Sequence, residues 1–185
     1  MTYRQAYQQW LESPALSAAE REELRSIAGD EKEIEGRFFG PLEFGTAGLR
    51  GTMCTGLHNM NVHVIRHATQ AFADVINAEG PEAAGRGIVI AHDCRLNGAD
   101  FAREAACVMA ANGIHVRIFD ALRPTPELSF AVVSWAASPA SISLPATILR
   151  NTTAIRYTGR MAHRLLRHTI KIFLQKWQKS LIFHR

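Results

Sequence analysis

Three consecutive stretches constrain this chain more than any other feature: GIVIA, then ADFAREAACVMAANG, then IHVRIF. The first, Gly87 to Ala91, is a short unbroken apolar run, the pattern of a strand buried on both faces. The second puts Phe101, Ala105, Val108 and Met109 on one helical stripe, with Gly113 as its stop. The third, residues 114–119, is another strand. Strand, helix and strand in this order predict a parallel pair joined by a right-handed crossover, so the fold class is α/β. Open sheets of this kind gather ligands beyond the carboxyl ends of their strands. His92-Asp93-Cys94-Arg95 follows the first strand, and Arg123-Pro124-Thr125-Pro126 follows the second. His92 could serve as an acid–base group, but a histidine at a strand end is more often a hydrogen-bonded structural residue. Asp93 and Arg95 read most simply as an ion pair that fixes the loop.

Upstream, residues 3–12 form a short helix pattern. Ser17 and Glu20 fit a capping box opening AAEREELRSI, which Gly29 can close. Residues 1–38 are therefore expected to be a helical extension, ahead of an α/β unit over 39–133. Between them lies LEFGTAGLRGTM, with three glycines in a dozen residues. That spacing suits backbone that bends tightly or lies close to a ligand. Arg50, set among those glycines, points to an anion contact rather than a plain surface turn. VHVIRHATQAFADVIN, 62–77, aligns Ile65, Ala68, Phe72, Val75 and Ile76 on one helical face. Pro126-Glu127 opens a further helix, since proline is tolerated at a first helical position.

Past Val133 this order stops. VSWAASPASISLPATILRNTTAIRYTGR mixes apolar, hydroxyl and basic residues with no sustained period. The chain carries 21 Lys and Arg against 17 Asp and Glu, net +4, yet Glu127 is its last acid. Nine of the basic residues stand in 134–185, which leaves 12 against 17 acids, net −5, in residues 1–133. The basic character belongs to the tail alone.

Three scattered cysteines (Cys54, Cys94, Cys107) suggest neither a disulfide framework nor a zinc site. The first residues, MTYRQAYQQWLES, lack an apolar signal stretch, and no apolar run reaches membrane-spanning length. The cytoplasm is the expected location, with no membrane span and no specific nucleic-acid partner.

LEFGTAGLRG, NMNVHVIRHATQ, AHDCR and RPTPELSF, in this order over roughly residues 30 to 133, resemble the first domain of the α-D-phosphohexomutases, the phosphoglucomutase/phosphomannomutase family. FGTAGLRG and the N-terminal extension are most similar to the phosphoglucomutase-2/phosphopentomutase-like branch. The resemblance implies a three-layer α/β/α domain, incomplete here, and a sugar phosphate as substrate. In the family a phosphoserine hands its phosphoryl group to the sugar phosphate with Mg²⁺. The resulting bisphosphate, a glucose 1,6-bisphosphate-type activator, turns and returns its other phosphate. By resemblance Arg50 matches the arginine near that phosphoserine, Thr46 lies beside the same site, and Asp93 and Arg95 match a loop on the active-site side. The family's T-A-S-H-N-P serine signature and its D-x-D-x-D metal loop are absent from the sequence, so no catalytic serine and no metal ligand is assigned.

A slip of one nucleotide near Val133 accounts for the missing signature. Ile142 to Leu149 can be written ATA-TCA-CTG-CCA-GCC-ACA-ATC-CTG. Regrouped from each third base, this becomes ATC-ACT-GCC-AGC-CAC-AAT-CCT, or I-T-A-S-H-N-P. Leu149 onward regroups to A-E-Y-N-G-Y-K-V-Y-W, and Trp135 to Ser143 permits L-G-C-I-A-G-I-N-I. An arginine codon CGN that loses its first base can leave Val133. Residues 134–185 are thus expected to be an out-of-frame tail, irregular or helical, without native packing. The stripe Leu166, Ile170, Phe173, Trp177 amid basic residues would bind anionic surfaces non-specifically. The leading expectation is a phosphohexomutase fragment, inactive as written. The alternative is an anion- or sugar-phosphate-binding regulatory protein with a basic amphipathic tail.

Overall fold

The computed structural model describes residues 1–45, 48–135, 141–144 and 152–158. Three short helices come first: α1 (Tyr3–Leu11), α2 (Ala18–Ser26) and α3 (Glu31–Phe38). Thr2 and Ser17 each close a capping box, Ser17 with Glu20 as its spacing predicts. Asp30 caps α3 by accepting from the Glu33 N–H. The three helices share a small core of their own: Ala6, Tyr7, Leu16, Leu24, Ile34 and Phe38. The Tyr7 hydroxyl, buried there, donates to the Leu24 carbonyl at 2.9 Å.

The α/β unit follows as β1 (Phe44–Gly45), β2 (Gly48–Thr52), α4 (Val62–Ala78), α5 (Pro81–Arg86), β3 (Ile88–His92), α6 (Gly98–Ala111), β4 (Val116–Ile118), α7 (Thr125–Ser134), β5 (Ser141–Leu144) and β6 (Thr152–Thr158). The strands form one sheet in the order β1-β2-β6-β5-β3-β4. Strands β5, β3 and β4 run parallel, with Ile90 opposite both Ile118 and Ile142. The β1, β2, β6 side is antiparallel throughout.

Alternation along β3 explains the layering. Ile88 and Ile90 face one core with Ile65, Ala68 and Phe72 of α4 and Phe101, Ala105 and Met109 of α6. Val89 and Ala91 face the other core with Leu128, Ala131 and Val132 of α7. A period of two on the strand and of 3.6 on the helices builds helix, sheet and helix in three layers. The expected strand–helix–strand core is therefore present, although β4 is shorter than the apolar run that announces it.

Helix α7 buries Leu128, Ala131 and Val132, while Phe130 at 72% and Val133 at 59% exposure face solvent. The expectation that nothing past residue 133 packs, and that the tail is irregular or helical, needs correcting at β5 and β6. The parallel edge of β3 has unpaired N–H and C=O groups that accept any extended segment of suitable residues. SISL and TTAIRYT are rich in β-branched and aromatic residues, which favour strands whatever their coding history. The basic stripe from Leu166 to Trp177 lies outside the described residues.

Candidate functional site

The glycine-rich segment is a hairpin. Phe44 pairs with Leu49 and Gly45 with Gly48, so the chain reverses at Thr46-Ala47, which lie outside the described residues. Gly48 has φ +105°, a conformation that suits glycine alone. Leu49 points into the α4 core and is fully buried, whereas Arg50, one residue on, projects from the opposite face and is exposed. No described residue pairs with the Arg50 guanidinium. Gly51 returns to the core side, where a Cβ would lie 3.2 Å from both Leu42 methyls and from the Met60 nitrogen. The backbone there must approach closely, as the glycine spacing implies, but it does so within a strand.

Beyond β2 the chain is held by polar bonds. Asn61 caps α4 by accepting from the Val64 N–H at 3.1 Å, while its amide donates to the carbonyls of Gly56 at 2.8 Å and Cys54 at 3.1 Å. Arg37 of α3, with its side chain only 13% exposed, donates to Glu23 at 2.6 Å, to Glu33 at 2.9 Å and to the Thr55 carbonyl at 3.2 Å. Glu23 also accepts from the Thr55 N–H and hydroxyl. Partial burial pushes the Glu23 carboxyl up, but bonds from Thr55 and Arg37 bring it below its ordinary value. This network clamps the helical extension to the loop after Arg50. Sequence reading missed it, because Glu23 and Arg37 look like ordinary surface charges on short helices.

At the carboxyl end of β3, the loop is fixed as expected. Asp93 accepts from the Arg95 N–H at 3.2 Å, and its second oxygen lies 3.5 Å from Arg95 Nε. His92 Nδ1 is 3.3 Å from the Asp93 carbonyl, which favours the structural reading of that histidine. Arg95 Nη1 is enclosed by protein and has no hydrogen-bond partner among the described residues. The neighbouring loop is tied in by the Arg123 N–H, which donates to the His92 carbonyl at 3.1 Å. The Arg123 side chain is occupied by Glu127 at 2.9 Å and lies over the Phe119 ring.

Strand register relates these two groups of residues. Arg50 pairs with Ala154 of β6. Ser143 pairs with both Ala91 and Arg156. In the strand order, Arg50 on β2 and Asp93 just past β3 lie on either side of the β6–β5 pair.

Residues 41–146 match the family model described as phosphoglucomutase/phosphomannomutase, alpha/beta/alpha domain I. The chain belongs to that family. It is 36% identical over 131 residues to the phosphopentomutase of Pongo abelii, covering 67% of this chain and 21% of that protein. It is 39% identical over 102 residues to the phosphoglucomutase of Staphylococcus saprophyticus, covering 55% and 18%. The chain thus spans about a fifth of the length of these curated relatives. Its fold is also that of a crystallised Thermus thermophilus protein assigned as a phosphomannomutase, with a TM-score of 0.63, 23% identity, and 72% and 29% of the two chains covered. Among the described residues no helix is long and apolar enough to cross a membrane.

Proposed function

We propose that this chain is a fragment of the first domain of a sugar-phosphate mutase, a cytoplasmic enzyme that interconverts sugar 1-phosphates with 6-phosphates or their pentose equivalents through a phosphoserine this chain lacks. As written it is inactive, because its coding frame slips near Val133. The observation that carries this reading is the strand order, which sets β6 and β5 between Arg50 of β2 and Asp93 just past β3. In the regrouped frame the AGC serine codon straddles Pro145 and Ala146, immediately past β5 in the sequence. A serine there would lie between an exposed guanidinium and a preformed loop.

Phosphoryl transfer asks a protein mainly for positioning and for positive charge around the moving group. Arg50 suits the second task, since a guanidinium with no internal partner can bind phosphate oxygens bidentately. By resemblance Thr46, which lies outside the described residues, stands beside the same site, and Asp93 and Arg95 shape the loop after β3. Mg²⁺, when bound in the family, neutralises charge on the transferring group. Among the described residues no three His, Cys, Asp or Glu side chains converge as a cation site, and no step is routed through a metal. A bisphosphate activator would load the serine.

The test compares the 185-residue chain with the product of a frame-corrected full-length gene, on glucose, mannose and ribose 1-phosphates with bisphosphate and Mg²⁺. The short chain should show no turnover, since loss of a nucleophile costs on the order of a millionfold. The corrected protein should gain one phosphate on the recovered serine. Turnover by the short chain, or a corrected protein that takes no phosphate, would sink the proposal. Phosphate binding without turnover in both proteins would favour the regulatory alternative.

A further inference from the structure

Helix α6 is bounded by the same dipeptide at both ends, Asn97-Gly98 and Asn112-Gly113. An asparagine followed by glycine can lose its side-chain amide without an enzyme, because glycine has no side chain to shield its backbone nitrogen. That nitrogen, deprotonated by base, attacks the asparagine Cγ; the Cγ–Nδ2 bond breaks and the amide leaves as ammonia. Water then opens the five-membered imide at either carbonyl, giving aspartate or isoaspartate. Ring closure requires the Asn–Gly peptide to turn and the side chain to swing onto it. In the backbone the two steps start alike, with ψ 5° at Asn97 and 9° at Asn112. The Gly98 N–H donates to the Arg95 carbonyl and the Gly113 N–H to the Ala110 carbonyl, both at 3.0 Å. The side chains differ. Asn97 is exposed and makes no cap hydrogen bond. Asn112 Nδ2 donates to Gln70 Oε1 and to the Val108 carbonyl, both at 2.8 Å, and its Oδ1 accepts from Gln70 Nε2 at 2.9 Å. The other Gln70 amide hydrogen goes to Asp74 Oδ1 at 2.9 Å, and Asn77 donates to the Asn112 carbonyl at 3.1 Å. Every N–H of the amide pair is thereby used. Asn112 Cγ cannot reach the Gly113 nitrogen until this contact between α4 and α6 opens.

We propose that Asn97-Gly98 is a site of spontaneous deamidation, and that the Gln70–Asn112 amide pair keeps Asn112-Gly113 from the same reaction. The new carboxylate at position 97 stands at the N-terminus of a 14-residue helix, where the helix dipole favours negative charge. It adds that charge to the loop that carries Asp93 and Arg95. The isoaspartate product runs the main chain through the former side chain. It therefore also displaces the Asn97 carbonyl, which accepts the first bond of α6 from the Phe101 N–H at 2.8 Å.

The experiment holds the 185-residue chain folded at mildly alkaline pH beside a second sample in urea, and peptide mapping by mass spectrometry follows each asparagine. In the folded chain Asn97 should convert at least about tenfold faster than Asn112, while in urea the two rates should agree within about threefold. Q70L should quicken Asn112 at least about fivefold through the loss of two hydrogen bonds. It should leave Asn97 within about twofold of the parent, which a global loss of stability would not reproduce. If Q70L does not fold, Q70E, which cannot donate to Asn112 Oδ1, carries the same readout. A folded chain in which Asn97 stays intact after the urea sample has converted overturns the deamidation site. Equal rates at the two steps in the folded chain, or a Q70L chain whose Asn112 is no faster, overturn the protection by Gln70.

Discussion

Gly87, at the mouth of β3, is the position where one methyl group should do most damage. Its backbone sits at φ +71° and ψ −168°, a region that L side chains scarcely enter. A Cβ there would be driven into the His115 carbonyl, with the carbonyl carbon 2.7 Å and His115 Cβ 2.8 Å away. The obstacle is backbone, and the Ile88 N–H donates to that same oxygen at 2.8 Å. Relief would therefore come only by parting β3 from β4. Backbone strain of about 1–3 kcal/mol and an overpacking cost of about 1–3 kcal/mol together put Gly87→Ala at roughly 3–5 kcal/mol of destabilisation. Two residues earlier the same change should act in the opposite sense. Gly85 lies inside α5 with open space at its Cβ position, so Gly85→Ala should stabilise by about 0.5–1 kcal/mol. Urea unfolding of the two variants beside the parent, followed by circular dichroism, measures both. A Gly87→Ala variant within about 1 kcal/mol of the parent, well below the strain and overpacking costs, would show that the β3–β4 junction is not held as described.

Glu23→Gln should loosen the clamp on the loop after β2 by about 1–3 kcal/mol, because Arg37 then keeps a largely buried charge with a weakened partner; thermal unfolding reads the loss, and Glu22→Gln, exposed on the same helix, serves as control. Glu20 and Glu23 both lie below their ordinary value of 4.5. Burial opposes that shift at each, but the bonds from Ser17 and His63 at Glu20, and from Thr55 and Arg37 at Glu23, outweigh it. A carboxyl lowered on folding contributes stability that is present above its unfolded value and lost as pH falls through the folded one. Amide exchange in α1–α3 should therefore quicken from about pH 4.5 downward while α4 and α6 stay protected; uniform protection down to about pH 3 would refute it. Inorganic phosphate should bind the hairpin weakly, with Kd at millimolar or above and binding no tighter than about −4 kcal/mol. It should shift the amides from Gly48 to Gly51 in NMR spectra, and Arg50→Ala should abolish those shifts.

What could be read from the sequence follows from how strongly each element depends on its side chains. Helices α4 and α6 are long enough for a stripe to repeat, and Ile65, Phe72, Phe101 and Met109 all lie in the core they suggest. Helix α3 offers only Ile34 and Phe38 at the right spacing, with Gly36 between them, so its order comes from packing on α1 and α2. Strands β1 and β2 escaped because glycine carries no pattern. The hairpin is specified by backbone pairing, and only Leu49 marks its inner face. The Asp93–Arg95 pair was legible because two residues apart is a local distance. The joining of Arg50's strand and the β3 loop in one sheet was not, since it depends on two strands that lie in the tail.

On the proposed frame slip, those two strands are the part of the fold that a change of frame leaves standing. Ser141–Leu144 occupies the codons that regroup to N-I-T, and Thr152–Thr158 occupies those that regroup to N-G-Y-K-V-Y. Strand pairing joins backbone groups that every residue carries, so it asks of a sequence only extended propensity and an open neighbouring edge. Both remain here, the first in Ile142, Thr152, Thr153, Ile155 and Tyr157, the second along β3. Catalysis asks instead for one hydroxyl at one position. No pairing energy supplies that hydroxyl, because Pro145 and Ala146 stand on its codon. On that proposal the sheet keeps β2 with Arg50 and β3 with the Asp93 loop in one strand order while the chain lacks the serine they would serve. Architecture tolerates substitution of its letters wherever the backbone does the bonding, and the reaction does not.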